Sequence, residues 1–163
     1  MLTIKNLKAS YNGLQILKDI NLNLEKGQVL SIIGESGTGK TTLGRAVMGL
    51  LEGSCTGEIL FKGKNLLTCP EEELRRIRGR EIAMVFQNVE DGLHPLYSII
   101  YQVMEAVLVH GLKDKKAAEE RACEVLELVG LDNRRFLAYP HQLSGGEKQR
   151  ALIALAVVNN PDI

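Results

Sequence analysis

The chain has 163 residues, 45% of them hydrophobic and 25% charged, and its 20 basic and 20 acidic residues give a formal net charge of zero. These values are typical of one globular domain with a sizeable core, and the balanced charge does not favour nucleic acid as a partner. No apolar run in the sequence approaches the roughly 18 residues of a membrane-spanning helix. Cys55, Cys69 and Cys123 fit neither a zinc pattern nor a disulfide framework, so we expect reduced thiols.

The N-terminal third of the sequence predicts β-structure. Residues 2–9 and 20–24 alternate apolar and polar side chains, and Asn12-Gly13 is a turn signal between them. Residues 58–61 predict a further strand. Residues 29–33 are a short apolar run typical of a buried parallel strand. We therefore expect a mixed, partly antiparallel sheet beside that parallel strand.

A complete G-x-x-x-x-G-K-[ST] phosphate loop follows at residues 34–41, ahead of a helix predicted over 42–51. The loop and the residue after it are Gly34, Glu35, Ser36, Gly37, Thr38, Gly39, Lys40, Thr41 and Thr42. The glycines allow a tight turn whose backbone N–H groups approach phosphate oxygens, and the helix N-terminus adds partial positive charge. Lys40 is expected to reach the β- and γ-phosphates and the Thr41 hydroxyl to ligate Mg²⁺. An ordinary glycine-rich turn is disfavoured because every fixed position is filled in the right context.

The rest of the chain predicts one more strand and then helices. Residues 82–86 form a second apolar run typical of a buried strand, and 99–109, 115–129 and 145–158 carry helical patterns. The arginines at 75, 76 and 78 follow acidic residues on a short helix, which favours a solvated, dipole-matched helix over a nucleic-acid patch.

The last predicted helix begins with a capping box, in which Ser144 is the N-cap and Glu147 the third helical residue. Taken alone, this motif only starts a helix. A serine N-cap followed by Gly145 and Gly146 also leaves bare N–H groups and a hydroxyl at a helix N-terminus, which is a ready anion site.

Four features occur in order along this chain: Tyr11, the phosphate loop, Gln87 after an apolar run, and the motif at 143–147. Together they resemble the nucleotide-binding domain of ABC transporters across essentially the whole chain. The resemblance implies an α/β fold with a P-loop NTPase core, a mixed β subdomain and a helical subdomain. Residues 1–87 would be the ATP-binding core with the β subdomain. Residues 88–158 would be the helical subdomain ending in the signature helix, and 159–163 would begin the Walker B strand.

The resemblance also implies a role for each site residue. Tyr11 would stack on the adenine of ATP, residues 34–41 would be the Walker A loop, and Gln87 would sense Mg²⁺ and the attacking water. Residues 143–147, the signature motif, would face the γ-phosphate of ATP bound to a second subunit, so that ATP is sandwiched in a head-to-tail dimer. The candidate catalytic residues are Lys40 and Gln87, and the candidate Mg²⁺ ligands are Thr41 and Gln87.

The implied function is the ATP-binding, ATP-hydrolysing subunit of an importer, held at the cytoplasmic face of the membrane by transmembrane permease subunits. A second ATP-binding subunit and, indirectly, a solute-binding protein would be its other partners, and no nucleic acid is expected. Residues 139–142 and 87–99 are similar to importers of di- and oligopeptides or nickel, although His94 and Val89 depart from that subgroup's usual asparagine and proline.

Two other functions stay open from the sequence. One is a soluble ABC-type ATPase of translation or chromosome maintenance, although the 55 residues from 88 to 142 are too few for the long coiled coils of the chromosome type. The other is a nucleotide-binding module without catalysis. Residues 161–163 match the approach to the Walker B strand, and the family's catalytic glutamate would follow residue 163. We therefore expect a piece of a longer protein.

We predict that a polypeptide of residues 1–163 shows no appreciable ATP turnover, because no general base of the family's kind lies within it. Phosphate release from the purified polypeptide, with Lys40→Ala as the background, measures this. Robust turnover that Lys40→Ala abolishes would contradict the prediction.

Overall fold

A computed structural model describes residues 1–88, 92–111 and 114–163. The chain divides into two compact units, Met1–Arg75 and Arg76–Ile163. The sequence predicts boundaries between functional regions after residues 87 and 158, and these stay predictions. Val89, which departs from the proline usual in the importer subgroup, lies outside the described residues. Within the described part of the chain, no helix is long and apolar enough to cross a membrane.

The first unit contains a four-stranded antiparallel sheet. Its strands are β1 (Leu2–Tyr11), β2 (Leu14–Leu24), β3 (Ser54–Phe61) and β4 (Lys64–Asn65), in the order β2-β1-β3-β4. The predicted turn joins β1 to β2, with Asn12 and Gly13 both at positive φ (49° and 79°), the conformation that a tight two-residue hairpin needs. The strands predicted near 2–9, 20–24 and 58–61 are thus confirmed, each within a longer element.

One face of this sheet is apolar and buried. Ile4, Leu7 and Ile59 are almost completely enclosed. Helix α1 (Lys40–Val47) buries Leu43 and Ala46. The helix ends earlier than residue 51 because Gly49 adopts φ 62° and lets Leu50 N donate to Arg45 O at 2.8 Å, a left-handed termination that glycine makes inexpensive.

The strands predicted at 29–33 and 82–86 are wrong as complete elements. Neither run forms a strand of the described sheet. Val29 and Ile33 are 95% and 94% exposed, against the predicted burial. The reason is that a strand is defined by hydrogen-bonded neighbours, and β2 and β4, the edges of this sheet, do not pair with either run. The pairings within the described four-stranded sheet are antiparallel.

The second unit is mainly helical, after the boundary-spanning helix α2 (Glu71–Ile77). Its helices are α3 (Ile99–Val109), α4 (Lys115–Leu128) and α5 (Gly145–Val157), with short 3₁₀ helices at Asn133–Arg135 and Pro140–Gln142. The three predicted helices are confirmed to within one residue at each end. They share one core, in which Val103, Leu126 and Ala154 are fully buried.

The last residues of the second unit pair with the start of the run at 82–86. Ile163 N donates to Glu81 O at 3.1 Å, and Ile163 O accepts from Ala83 N at 2.8 Å. This alternation on either side of Ile82 is typical of parallel strands. It supports the prediction that 159–163 approach a strand, which stays a prediction.

Gly57 on β3 provides a test of the sheet. Lys5 pairs with Glu58 and Lys8 with Thr56, so two β1 residues face Gly57 alone in a bulge. Gly57 has φ 105°, and a Cβ there would lie 2.6 Å from Asn6 O.

Gly57→Ala is expected to cost about 1–3 kcal/mol of unfolding free energy beyond the cost of its positive φ. Gly63→Ala is the matched control, because Gly63 has φ 83° with open space around it. Urea unfolding measures both variants. Equal losses would show that the close backbone contact at the bulge is unimportant.

Candidate nucleotide-binding site

The phosphate loop is shaped by glycines that no other residue could replace without strain. Gly37 and Gly39 have φ 82° and 97°, and Gly39 is the residue before helix α1. A Cβ on Gly39 would lie 2.9 Å from Leu17 Cδ2 and 3.2 Å from Ile16 Cγ2, both on β2. The loop is therefore packed directly against the hairpin, which fixes where α1 begins.

Lys40 lies across the loop. Its ammonium donates to Gly34 O at 2.7 Å and to Glu35 O at 2.6 Å, while Thr38 Oγ1 donates to Glu35 O at 2.8 Å. Lys40 and the loop residues 34–38 are exposed. A positive charge is thus held at the mouth of the loop by backbone carbonyls alone, where a phosphate oxygen can replace either of them.

The N-terminus of α1 is bare. In the described part of the chain no side chain caps it, its first turn carries no acidic residue, and its first helical bond joins Leu43 N to Gly39 O at 2.9 Å. The preceding N–H groups, from Lys40 to Thr42, are free of intrahelical partners and face the loop. This arrangement attracts an anion.

Thr41 suits the metal role predicted for it. Its side chain is exposed in the first turn of α1, beside the loop. A hydroxyl oxygen is the kind of ligand Mg²⁺ accepts when phosphate oxygens and waters supply the rest. Among the described residues, no group of three or more histidine, cysteine or carboxylate side chains is placed so that it could hold a metal ion.

Tyr11 lies near this loop through the hairpin. It ends β1 opposite Leu14, is 45% exposed, and Ile16, two residues beyond Leu14, contacts Gly39. Each strand residue advances about 3.4 Å along the strand, so the few residues between Tyr11 and Ile16 span a short distance. Tyr11 and the phosphate loop therefore lie near the same part of the hairpin. This supports the adenine-stacking role, which stays a prediction.

In the second unit, the predicted capping box is present at the start of α5. Ser144 Oγ accepts from Glu147 N at 3.3 Å, and Glu147 Oε2 accepts from Ser144 N at 2.7 Å. The hydrogen bonds from the Ser144 backbone and side chain, followed by the charge of Arg135, lower the pKa of Glu147 from its ordinary value of 4.5. Glu147 is therefore a carboxylate at neutral pH.

Arg135 is a contact of this motif that the sequence analysis missed. Its Nε lies 3.1 Å from Glu147 Oε1, and both side chains line a surface cleft with Asp132 and Arg134. The neighbouring Arg134 instead pairs with Asp132, Nη2 to Oδ2 at 2.6 Å, and holds the pKa of that carboxyl at about 2. No periodic signal links residues 135 and 147, so the sequence offered no pattern to find the pair.

The two signature glycines stand in open space. A Cβ on Gly145 would meet no atom within 4 Å, and one on Gly146 would meet only Arg150 Nη2, at 3.9 Å. Neither glycine has positive φ. Nothing described in this chain therefore requires glycine at either position, in contrast to Gly39.

The family of the chain follows from its similarity to known proteins. Residues 17–163 match the family described as ABC transporter. The chain belongs to this ABC transporter family. It is 39% identical, over all of its length, to the oligopeptide transport ATP-binding protein OppD of Bacillus subtilis and 40% identical to the dipeptide transport ATP-binding protein DppD of Lactococcus lactis. It spans about half of each relative, 48% and 50% respectively.

Solved ABC structures share the fold. The dimeric post-hydrolysis state of the ATP-binding cassette MJ0796, bound to ADP and Pi, superposes with a TM-score of 0.88 at 32% identity, over 99% of this chain and 71% of that one. The cbiO1 protein of Clostridium perfringens, part of the ABC transporter complex cbiONQ, gives 0.78 at 30% identity, over 98% and 62%. The predicted fold class is confirmed, and the family is one that binds nucleotides.

The predicted ABC site residues lie in both units of the chain. Tyr11 and the phosphate loop belong to the first unit, and Gln87 and the signature motif at 143–147 to the second. Gln87 is exposed at a bend after the run at 82–86. Its role, and the roles of the other site residues, stay predictions.

The lowered pKa of Glu147 predicts how its contribution to stability varies with pH. Because the folded pKa lies below 4.5, the contribution is complete above pH 4.5 and is lost as the pH falls through the folded pKa. Glu147→Gln is therefore expected to be less stable than the wild type at pH 7, with a difference that shrinks below pH 4.5. Urea midpoints across pH 3–7 measure this, and a difference independent of pH would contradict it.

Proposed function

We propose that this chain is the ATP-binding part of an ABC importer subunit, which couples ATP binding and hydrolysis to the uptake of di- or oligopeptides. The observation that carries the proposal is a pair of helix N-termini that follow glycine-rich motifs. The N-terminus of α1 behind the phosphate loop has no side-chain cap, and that of α5 behind the signature motif starts with the Ser144/Glu147 capping box. Each offers backbone N–H groups to an anion. The relatives named above are peptide transport proteins, which favours peptide over nickel as the substrate.

The phosphate loop would bind the β- and γ-phosphates of ATP. The Lys40 ammonium would exchange its two carbonyl partners for phosphate oxygens, and the N–H groups of α1 would bind the same phosphates. Mg²⁺, when bound at Thr41, would neutralise the charge that develops on the transferred phosphoryl group. Gln87 would orient the attacking water, and the products would be ADP and inorganic phosphate.

The signature motif would serve a nucleotide held by another copy or a related subunit. Gly145 and Gly146 have room for a side chain and no conformational need for glycine, so their small size serves a contact from outside the chain. The dimeric state and bound products of MJ0796 support this assignment. ATP would then join two subunits, and its hydrolysis would release them.

The importer role implies further partners. We propose that permease subunits bind this protein and hold it at the cytoplasmic face of the membrane. A solute-binding protein would deliver the peptide to the permease. The names of the peptide transport relatives, and the membership of cbiO1 in a multi-subunit transporter, support this.

Nucleotide binding tests the first step. In the full-length protein, Lys40→Ala is expected to weaken Mg-ATP binding about tenfold or more, because hydrogen bonds to a charged group contribute about 1.5–3 kcal/mol. Calorimetric titration measures the affinity, and Lys116→Ala, which removes an exposed lysine from α4, is the charge-matched control. Equal affinities for the two variants would contradict the phosphate-loop assignment.

Peptide uptake tests the physiological role in the same way. A strain without this gene is expected to lose growth on a dipeptide as its source of a required amino acid and to regain it with the wild type but not with Lys40→Ala. Unchanged growth of the deletion strain, in the absence of other peptide importers, would favour a soluble ATPase role instead.

A further inference from the structure

We propose that Arg135 is a positioning residue for the signature motif, neutralising Glu147 and holding its carboxylate in the capping box so that the N-terminus of α5 stays receptive to a phosphate. The inference rests on the proposed function, since it concerns the same phosphate contact. Arg135 itself would not touch the nucleotide.

The contacts form a short chain of bonds. Arg135 Nε lies 3.1 Å from Glu147 Oε1, and the other carboxylate oxygen accepts from Ser144 N at 2.7 Å. Ser144 Oγ in turn accepts from Glu147 N at 3.3 Å. Each oxygen of the Glu147 carboxylate thus has its own partner, and the position of Arg135 fixes the rotamer that caps Ser144.

The charge of Glu147 makes this contact necessary. A carboxylate in the first turn of a helix satisfies the positive end of the helix dipole, but it also repels any other anion that approaches that end. Helix α1, by contrast, has no acidic residue in its first turn. A signature motif that ends in glutamate therefore needs a compensating cation, and Arg135 supplies it.

The position of Arg135 is set by the structure around it. Asp132 caps the 3₁₀ helix Asn133–Arg135 by accepting from Arg134 N at 2.9 Å. Phe136, the next residue, is buried in the helical core, and its carbonyl accepts from Ile100 N at 2.9 Å. The two adjacent arginines consequently form separate ion pairs, Arg134 with Asp132 and Arg135 with Glu147.

A purely structural role for Arg135 predicts a different pattern. An ion pair on the surface contributes little to stability, and a packing role would not depend on the charge of residue 147. Charge compensation by Arg135 does depend on the charge of residue 147. Removing the Glu147 carboxylate should therefore remove the need for the arginine.

The test measures the ATP concentration that half-saturates dimerisation of the full-length protein, using variants blocked in hydrolysis. Arg135→Ala is expected to raise this concentration about three- to tenfold at low salt, and less at 0.5 M salt because salt screens the repulsion. Arg135→Lys is expected to stay within about twofold of the wild type, since it keeps the charge. Arg134→Ala, the matched control on the same 3₁₀ helix, is expected to leave the value unchanged.

The double variant Arg135→Ala/Glu147→Gln decides between the two roles. Under the proposal it returns to the value of Glu147→Gln alone. A double variant as impaired as Arg135→Ala, or an Arg135→Ala protein that behaves like Arg134→Ala, would overturn the inference. Gly145→Val separates this from the proposed function: if Gly145→Val also dimerises normally with ATP, the signature assignment itself fails.

Discussion

The first-turn N–H groups of an α-helix have no backbone partner inside the helix, and the proposed nucleotide site depends on the N-termini of two helices. At α1 they lie behind a glycine loop with a lysine across its mouth. At α5 they lie behind a serine N-cap and two unhindered glycines. Backbone dipoles favour an anion at both ends, and at α5 the Glu147 carboxylate opposes it unless a cation balances its charge. An anion with several phosphates is the ligand that such ends fit.

The two helix ends are held open by different means. Gly39 packs against Ile16 and Leu17, so the antiparallel hairpin determines where α1 starts. At α5, a capping box fixes the chain direction, and its acidic member carries a charge that the Arg135 side chain balances. The first end is therefore built by packing and the second by electrostatics.

Local patterns in the sequence predicted most of the helices, the hairpin turn and both glycine-rich motifs. The Asn12-Gly13 hairpin, the helix at 99–109 and the capping box at 144–147 depend on residues a few positions apart, and all are present. The runs at 29–33 and 82–86 are not strands of the described sheet, because a strand requires a paired neighbour along its length, which its own residues do not encode. In the second run the described pairing is that of its start with Ile163. The Arg135–Glu147 contact was missed for a related reason: it joins two helices across a loop and leaves no period in the sequence.

In the proposed dimer, the two helix ends act on one ATP from different subunits. Short bis-maleimide cross-linking tests it, in a full-length protein whose native cysteines, Cys55, Cys69 and Cys123 among them, are replaced by serine. Two copies are mixed, one carrying Ser36→Cys in the phosphate loop and the other Gly145→Cys in the signature motif. A cross-linked dimer is expected to form with ATP and to be lost with ADP or with Lys40→Ala. A cross-link that is independent of nucleotide, or one that forms only within a single chain carrying both cysteines, would contradict it.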